Sequence, residues 1–407
     1  MSKFCAKVKM RYLCPDFISS FEYMKKALAS LAFGTFGLGI TEFFIMAILP
    51  FIAADFGVSI PRAGNMISAY ALGVCVGAPL MLFVLRNMPL KRILVLLLGI
   101  FIAASLGMTF APDYRTMMLM RFLAGLPHGA YFGVASIVAD RLSKRGKAAT
   151  AVAIMCSGMS FANLVGIPLG TAICQMFSWR AIYAFSTLWG CVTLGAILAF
   201  VPRMDALENR GAKGQFYFLK SPAPWLVIGA TLFGNGGVFC FYSYVSPFLT
   251  NYVGVAERLL PLMMVVAGVG MVAGNLTGGI ISDRIGPGRT GRMLQFAMIA
   301  CLAGLLLLGK YEFVSIPLVF IVVFCLFGVG SPQQLLLLRY SQGGELLGGA
   351  MVQIAFNLGN AVGAWLGGVP LTYGLDYNTV AVPGIAMVVC GIACYTVFCR
   401  KYENGRA

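Results

Sequence analysis

The chain has 407 residues, 59% of them hydrophobic and 11% charged, and a net charge of +16. A soluble domain carries about 45–50% apolar and about 25% charged residues, so this composition excludes a water-bathed surface and makes lipid the solvent. One histidine, His128, and 12 cysteines scattered through apolar runs (Cys75, Cys156, Cys240, Cys301 and Cys325 among them) argue against a metal site; the cysteines read as small packing residues, Cys390 and Cys394 on one helix face included.

Residues 1–26 are basic and mixed in polarity and lack the apolar core of a cleaved leader. They are expected to be a cytoplasmic extension, with Met24-Lys25-Lys26 resembling a natural start. Runs with little or no charge follow at 27–51, 63–85, 93–112, 116–139, 148–175 and 181–201. The polar segment 202–222 interrupts them, and six more runs follow at 223–250, 259–282, 293–309, 314–338, 346–373 and 378–399. A helix needs about 20 apolar residues to cross a bilayer. The expectation is therefore an all-α membrane protein of twelve transmembrane helices. An N-terminal half (27–201) and a C-terminal half (223–400) flank the loop 202–222, and 401–407 forms a tail.

With the N-terminus placed in the cytoplasm, the outer loops hold only Arg62, Arg115, Arg180, Arg258 and Lys310, and Arg121 lies inside a span. The remaining Lys and Arg residues fall in cytoplasmic segments, including the tail. This asymmetry is the positive-inside pattern. It explains the basic excess without nucleic acid and puts both termini in the cytoplasm.

The first span contains GITEFFIMAILP (39–50), with Glu42 inside a run that carries no other charge. A charge at the centre of such a helix costs roughly 2.5–3.5 kcal/mol. Glu42 lies about 13 Å from the outer end of its span at 1.5 Å per residue; Arg121 lies about 8 Å in and His128 about 18 Å. The carboxyl is tolerable if protonated, or if it faces a wet cavity near Arg121, and exchange between those states can drive transport; the alternative is a hydrogen-bonded structural acid. Arg121 has no neutral form, so it needs a partner in the bundle or must snorkel outward. Arg121, Gly125 and His128 share a helix face. His128 reads as a proton relay, a substrate contact or a packing residue.

In the fifth span Pro168 bends the helix, and Gly158, Gly166 and Gly170 allow close approach of a neighbour. Asn163 and Asn357, with Asn360, are amides in mid-membrane, suited either to bonds between helices or to substrate. The seventh span carries Asn235 with Phe233, Phe239, Phe241 and Tyr242, the makings of an amphipathic pocket; Tyr244 and Phe248 read as an interfacial girdle. Few polar residues stand at mid-depth, which favours a less polar substrate.

The two halves echo each other. FANLVGIPLG (161–170) is similar to AFNLGNAVGAWLGG (355–368), and GGIISDRIGPGRTGR (278–292) stands opposite GAPLMLFVLRNMPLKR (77–92). Weak symmetry between two six-span halves is a mark of transporters. The GxxxDRxGxxR pattern of Gly279, Asp283, Arg284, Gly286 and Arg289 resembles the cytoplasmic-loop motif of the major facilitator superfamily. RFLAGLPHGA (121–130) resembles its fourth-helix motif, and GIPLG (166–170) with Gly158 its fifth-helix exporter motif. With Ser178-Trp179-Arg180 and FNLGNAVGAWLGG, these resemble the arabinose-efflux-permease-like branch of the twelve-span drug:proton antiporters.

That resemblance implies two pseudo-symmetric halves around a central cavity and proton-coupled export of a sugar-like metabolite or an amphipathic drug. Proton coupling falls to Glu42 and Arg121, and the cavity to His128, Asn163, Asn235, Tyr242 and Asn357. Gly279, Asp283, Arg284, Gly286 and Arg289 form a gating latch. The implied partners are the substrate, protons and the lipid bilayer, in a monomer of the bacterial inner membrane that uses a proton gradient in place of a cofactor. In the first half Arg86 stands where the latch's Asp belongs, and Met88-Pro89 replaces its glycine, so the latch is expected to be one-sided. The alternatives are a proton-linked nucleoside or metabolite exporter or importer and, more remotely, a membrane enzyme or sensor.

Overall fold

The structure, a computed structural model, describes residues 14–58, 60–85, 87–207 and 216–403. Its long elements are helices: α1 (Cys14–Asp55), α2 (Ile60–Leu85), α3 (Leu90–Thr109), α4 (Tyr114–Leu142), α5 (Ala148–Met176) and α6 (Trp179–Phe200) in the first half. The second half holds α7 (Pro222–Tyr242), α8 (Leu260–Ile285), α9 (Pro287–Leu308), α10 (Glu312–Gly328), α11 (Gly330–Arg339), α12 (Glu345–Thr372) and α13 (Ala381–Phe398). Among the described residues, ten stretches are long and apolar enough to cross a membrane, with α10 and α11 counted as one. The 42-residue α1 and the 26-residue α2 bring the rods to twelve.

Lipid offers the backbone no hydrogen bonds, so each crossing segment must satisfy its own, as a helix does. Polar residues outside the spans start several helices. Asp113 caps α4 by accepting the Thr116 N–H at 2.9 Å, and that bond holds its carboxyl below the usual carboxylate range. Ser178 and Ser221 cap α6 and α7 in the same way. The helices stay apolar on their outer faces, where Leu72, Leu119, Leu188, Leu307, Phe313 and Trp365 are exposed to the surroundings.

Three boundaries differ from the sequence reading. α1 begins at Cys14, so residues 14–26 are helical and continuous with the first span; residues 1–13 lie outside the described residues. α7 stops at Tyr242 where the apolar run continues to 250. A turn at Val245–Pro247 and a wider coil at Phe248–Val253 follow, beside a proline that has no N–H to donate. The tenth rod breaks at Val329, where Pro332 cannot donate to the carbonyl of Gly328. In addition Phe248 is fully buried against Phe241 at 4.9 Å between ring centroids, so it is a core residue and not part of a girdle.

The halves repeat each other in packing. α1 lies on α5 as α7 lies on α12, α2 on α4 as α8 on α10, and α3 on α6 as α9 on α13. Between the halves, α5 meets α8, and α2 and α4 meet α12. One end of the bundle, the basic end, carries Arg141, Lys144, Arg145, Lys147, Arg203, Lys220, Arg284, Arg339, Arg400 and Lys401. There the core of the first half reaches across to Leu338, Leu346 and Ala350 of the second. At the distal end Asp55 closes α1 beside the start of α6. Its Oδ2 accepts from Arg180 Nη1 at 2.7 Å and from Trp179 Nε1 at 3.2 Å, while the guanidinium lies 4.2 Å over the Trp179 ring. The pair is too exposed to stabilise much, but it explains why Ser178-Trp179-Arg180 stands as a unit.

Candidate functional site: a polar cavity between the halves

A cavity of about 390 Å³ opens between the halves. The first half lines it with Glu42 (α1), Phe132 (α4) and Met159, Ser160 and Asn163 (α5). The second half contributes Tyr242 and Phe239 from α7, Asn275 from α8, Gln333 and Gln334 from α11, and Gln353, Phe356 and Asn360 from α12. The volume lies in the range of small-molecule sites.

Glu42 keeps a 17% exposed side chain at the cavity wall, and its Oε2 has no hydrogen-bond partner. Its basic neighbour is His128, whose Nδ1 lies 4.0 Å from that oxygen. His128 is fully buried. Its ring stacks on Phe132 one turn further along α4, with centroids 5.1 Å apart, and Nδ1 lies 2.8 Å from the Tyr70 hydroxyl. Tyr70 in turn lies under Arg121, whose guanidinium carbon is 4.6 Å from the ring centroid.

Arg121 lies close enough to Glu42 for its charge to act on the carboxyl, but its hydrogen bonds go to the backbone. Arg121 is fully buried but directs Nη1 to the Thr41 carbonyl at 2.6 Å and Nε to the Met66 carbonyl at 3.2 Å. It does not snorkel; backbone oxygens of α1 and α2 accept from Nη1 and Nε, and Nη2 has no hydrogen-bond partner. The face shared by Arg121, Gly125 and His128 therefore packs on α2, and Tyr70 and His128 form a chain of contacts from Arg121 to Glu42. Sequence reasoning missed Tyr70, a lone tyrosine in an apolar run that gives no sign of its partner 58 positions away.

Of the expected cavity residues, Asn163 and Tyr242 line the space and His128, Asn235 and Asn357 do not. His128 sits behind Phe132 and Glu42. Asn235 is buried and exchanges two amide hydrogen bonds with Gln333, at 3.2 and 3.3 Å. Asn357 donates to the Gln353 carbonyl of its own helix at 2.9 Å. The expectation of few polar contacts is also corrected. Gln333, Gln334, Gln353, Asn275 and Asn360 converge from three helices, and each alone is an unremarkable amide in an apolar run.

The basic end of the cavity is closed. Asp283 of α8 crosses to the start of α5 and accepts the backbone N–H groups of Ala149 and Thr150, both at 2.9 Å, as well as the Thr150 hydroxyl. Residue 147, the N-cap of α5, is a lysine with no capping bond, so Asp283 supplies the cap and meets the positive end of the helix dipole from the other half. Gly279, one turn back on α8, fits because a Cβ there would lie 2.5 Å from Ala153 Cβ. Gly286 ends α8 with φ +96°, a conformation that favours glycine, and the adjoining Gly288 N–H donates to Glu403 at 2.9 Å. Arg284 and Arg289 are exposed at that end, and Arg86 lies outside the described residues. Nearby, α4 and α12 touch backbone to backbone, since a Cβ on Gly349 would lie 2.8 Å from Gly133 Cα.

The fifth-helix residues face a different neighbour. Gly158 meets the Ala32 carbonyl and Gly170 the Phe44 ring, both on α1; Gly166 is buried, and α5 continues through Pro168.

Two matching halves in a lipid-facing shell, around a polar cavity shut at one end, define a carrier of small solutes. The chain belongs to the Major Facilitator Superfamily: residues 31–346 match it. It is a secondary transporter and not an enzyme. It is 43% identical over 384 residues to the protein named "Putative transporter AraJ" of Escherichia coli strain K12, covering 94% of this chain and 97% of that one. It is 36% identical to the inner membrane transport protein YdhP of the same strain, over 91% and 95% of the two chains. Among solved structures, the Major Facilitator Superfamily transporter FucP in the outward conformation superposes with a TM-score of 0.74, 12% identity, and coverage of 91% and 98%. That likeness concerns the fold alone.

Proposed function

We propose that the protein exports a small polar solute from the cytoplasm in exchange for protons, by alternating access. The observation that carries this is Glu42, a carboxyl within a span that faces the cavity with one oxygen unpartnered. A group so placed can hold a proton on one side of the membrane and release it on the other. With the basic end in the cytoplasm, as the charge asymmetry supports, both termini are cytoplasmic and Asp283 seals the inner side. Glu42 then takes a proton from outside as substrate leaves, and gives it up inside once the basic end opens. His128 sits beside it to share that proton, held in place by Tyr70. The name of the relative YdhP supports the inner membrane as location.

The amide lining favours a sugar-like metabolite over an amphipathic drug, because amides both donate and accept hydrogen bonds. The aromatic wall of Phe239, Tyr242 and Phe356, with the two phenylalanines 5.3 Å apart edge to face, supports a second reading in which a nucleoside presents a flat ring there.

The test is a panel of sugars, nucleosides and drugs added to everted vesicles and read by a pH-sensitive dye in the lumen. Substrate should release protons from the wild-type vesicles. Glu42→Gln should bind substrate yet lose at least about tenfold of the proton flux. Uphill export by Glu42→Gln under a proton gradient would remove the proton-carrier role.

A further inference from the structure

The tenth rod breaks at Val329 within Gly328-Val329-Gly330-Ser331-Pro332 and resumes as α11. The break leaves open space on one side, where a Cβ on Gly330 would meet nothing within 4 Å, and Gly330 itself borders the cavity. Two adjacent glutamines follow at once. Gln333 is used up within the protein by its two bonds to Asn235. Gln334 is not. Its Nε2 donates to the Gly349 carbonyl at 2.6 Å. A carbonyl can only accept, so the other end of this amide is an oxygen. That oxygen, Oε1, has no partner although the residue is 1% exposed and borders the cavity. A buried acceptor without a donor is costly. Here the side chain borders the cavity, so the missing donor can arrive as part of the substrate.

The geometry points to Gln334 as a specificity-determining contact: its Oε1 accepts a hydrogen bond from a hydroxyl or N–H of the transported molecule. This rests on the reading that the cavity carries the substrate. The side chain is well suited to the role. It is held from behind by Gly349, so little rotamer freedom is lost on binding, and a site built to receive a donor rejects analogues that lack one. Gly349 is also where α12 touches Gly133 of α4 at the closed end. A substrate on Gln334 therefore pulls on a side chain that is bonded to the seam between the halves.

The test uses the full chain in proteoliposomes with three probes: arabinose, chloramphenicol and tetraphenylphosphonium, the last without any hydrogen-bond donor. Wild type should move at least one of the first two and leave tetraphenylphosphonium behind. Gln334→Met should raise the half-saturating concentration of that probe at least about tenfold, the loss of a hydrogen bond that leaves a donor unpaired. Gln334→Glu keeps an acceptor at the cavity but cannot hold the Gly349 carbonyl, and should stay within about threefold of wild type. A merely structural Gln334 predicts equal damage in both variants, and that result overturns the proposal. So does an unchanged Gln334→Met, or tetraphenylphosphonium transport by wild type at the rate of the donor probes. A wild type that moves none of the three under a proton gradient overturns the proposed proton-driven export of a sugar-like or drug-like solute and this contact together; transport that ignores Gln334 overturns the contact alone.

Discussion

The carboxyl of Glu42 and the guanidinium of Arg121 sit in one half of the bundle, yet they solve burial differently. Arg121 cannot shed its charge, so the protein gives it two carbonyl oxygens and the face of Tyr70. Arg121→Lys keeps the charge but not the planar fork that reaches both Thr41 and Met66. Both carbonyls keep their intrahelical bonds, but each lost bond to the charged guanidinium should cost about 1–3 kcal/mol, so the variant should unfold at a distinctly lower temperature, while Arg121→Ala should be worse still. A thermal scan of the purified protein checks this; an unchanged midpoint for Arg121→Lys would mean that the carbonyl contacts do not hold α1 and α2 together. Glu42 can shed its charge, which is why it, and not Arg121, is left at the cavity wall. Both residues were legible in the sequence because each interrupts an apolar run. Their hydrogen-bond partners were not. Helix depth placed them within electrostatic reach of each other, but the direction of a side chain's bonds depends on which neighbour offers carbonyls, and that neighbour, α2, is distant in the chain.

At the scale of elements, α5 is the helix with divided loyalties. Its Gly158 and Gly170 face α1 in its own half, whereas its first turn is capped by Asp283 of the other half. Asp283→Asn should keep one hydrogen bond to that turn and lose the charge that favours the helix N-terminus, a change of about 1 kcal/mol. Such a change acts on the balance between the closed and open basic end, not on the cavity. Turnover should fall severalfold while substrate affinity in detergent stays within about twofold. Parallel loss of affinity and turnover would assign Asp283 to folding instead. Asp283 stood out in GGIISDRIGPGRTGR; its docking point did not, because the backbone N–H groups of Ala149 and Thr150 carry no sequence signature. The same holds for α10 and α11. The run FGVGSPQQ contains a glycine pair and a proline that signal a break, but its apolar flanks absorb it into one long span, and the two glutamines gain meaning only once α12 and α7 stand beside them.

For the molecule as a whole, composition and run length gave the twelve rods and their grouping. The cavity was harder to foresee, since amides from α5, α8, α11 and α12 meet in it and these helices are spread over both halves of the chain. The orientation in the membrane has a direct check. A cysteine at Ala206, in the connection between the halves, should react with an impermeant maleimide only from the cytoplasmic side, and one at Ala256 only from outside. Labelling of both from the same side would contradict the twelve-rod arrangement.

The seam at Gly133 and Gly349 has a kinetic meaning. Two bare backbones in contact present smooth surfaces without interlocking knobs, so parting them requires no side chain to change rotamer. Beside the seam, the apolar contacts of Leu338, Leu346 and Ala350 and the directional bonds from Asp283 to α5 join the halves. If Asp283 is the catch proposed for it, such a carrier resembles a hinge with a catch more than a zipper: loosening the catch should shorten the time spent shut, and roughening the seam should slow the swing.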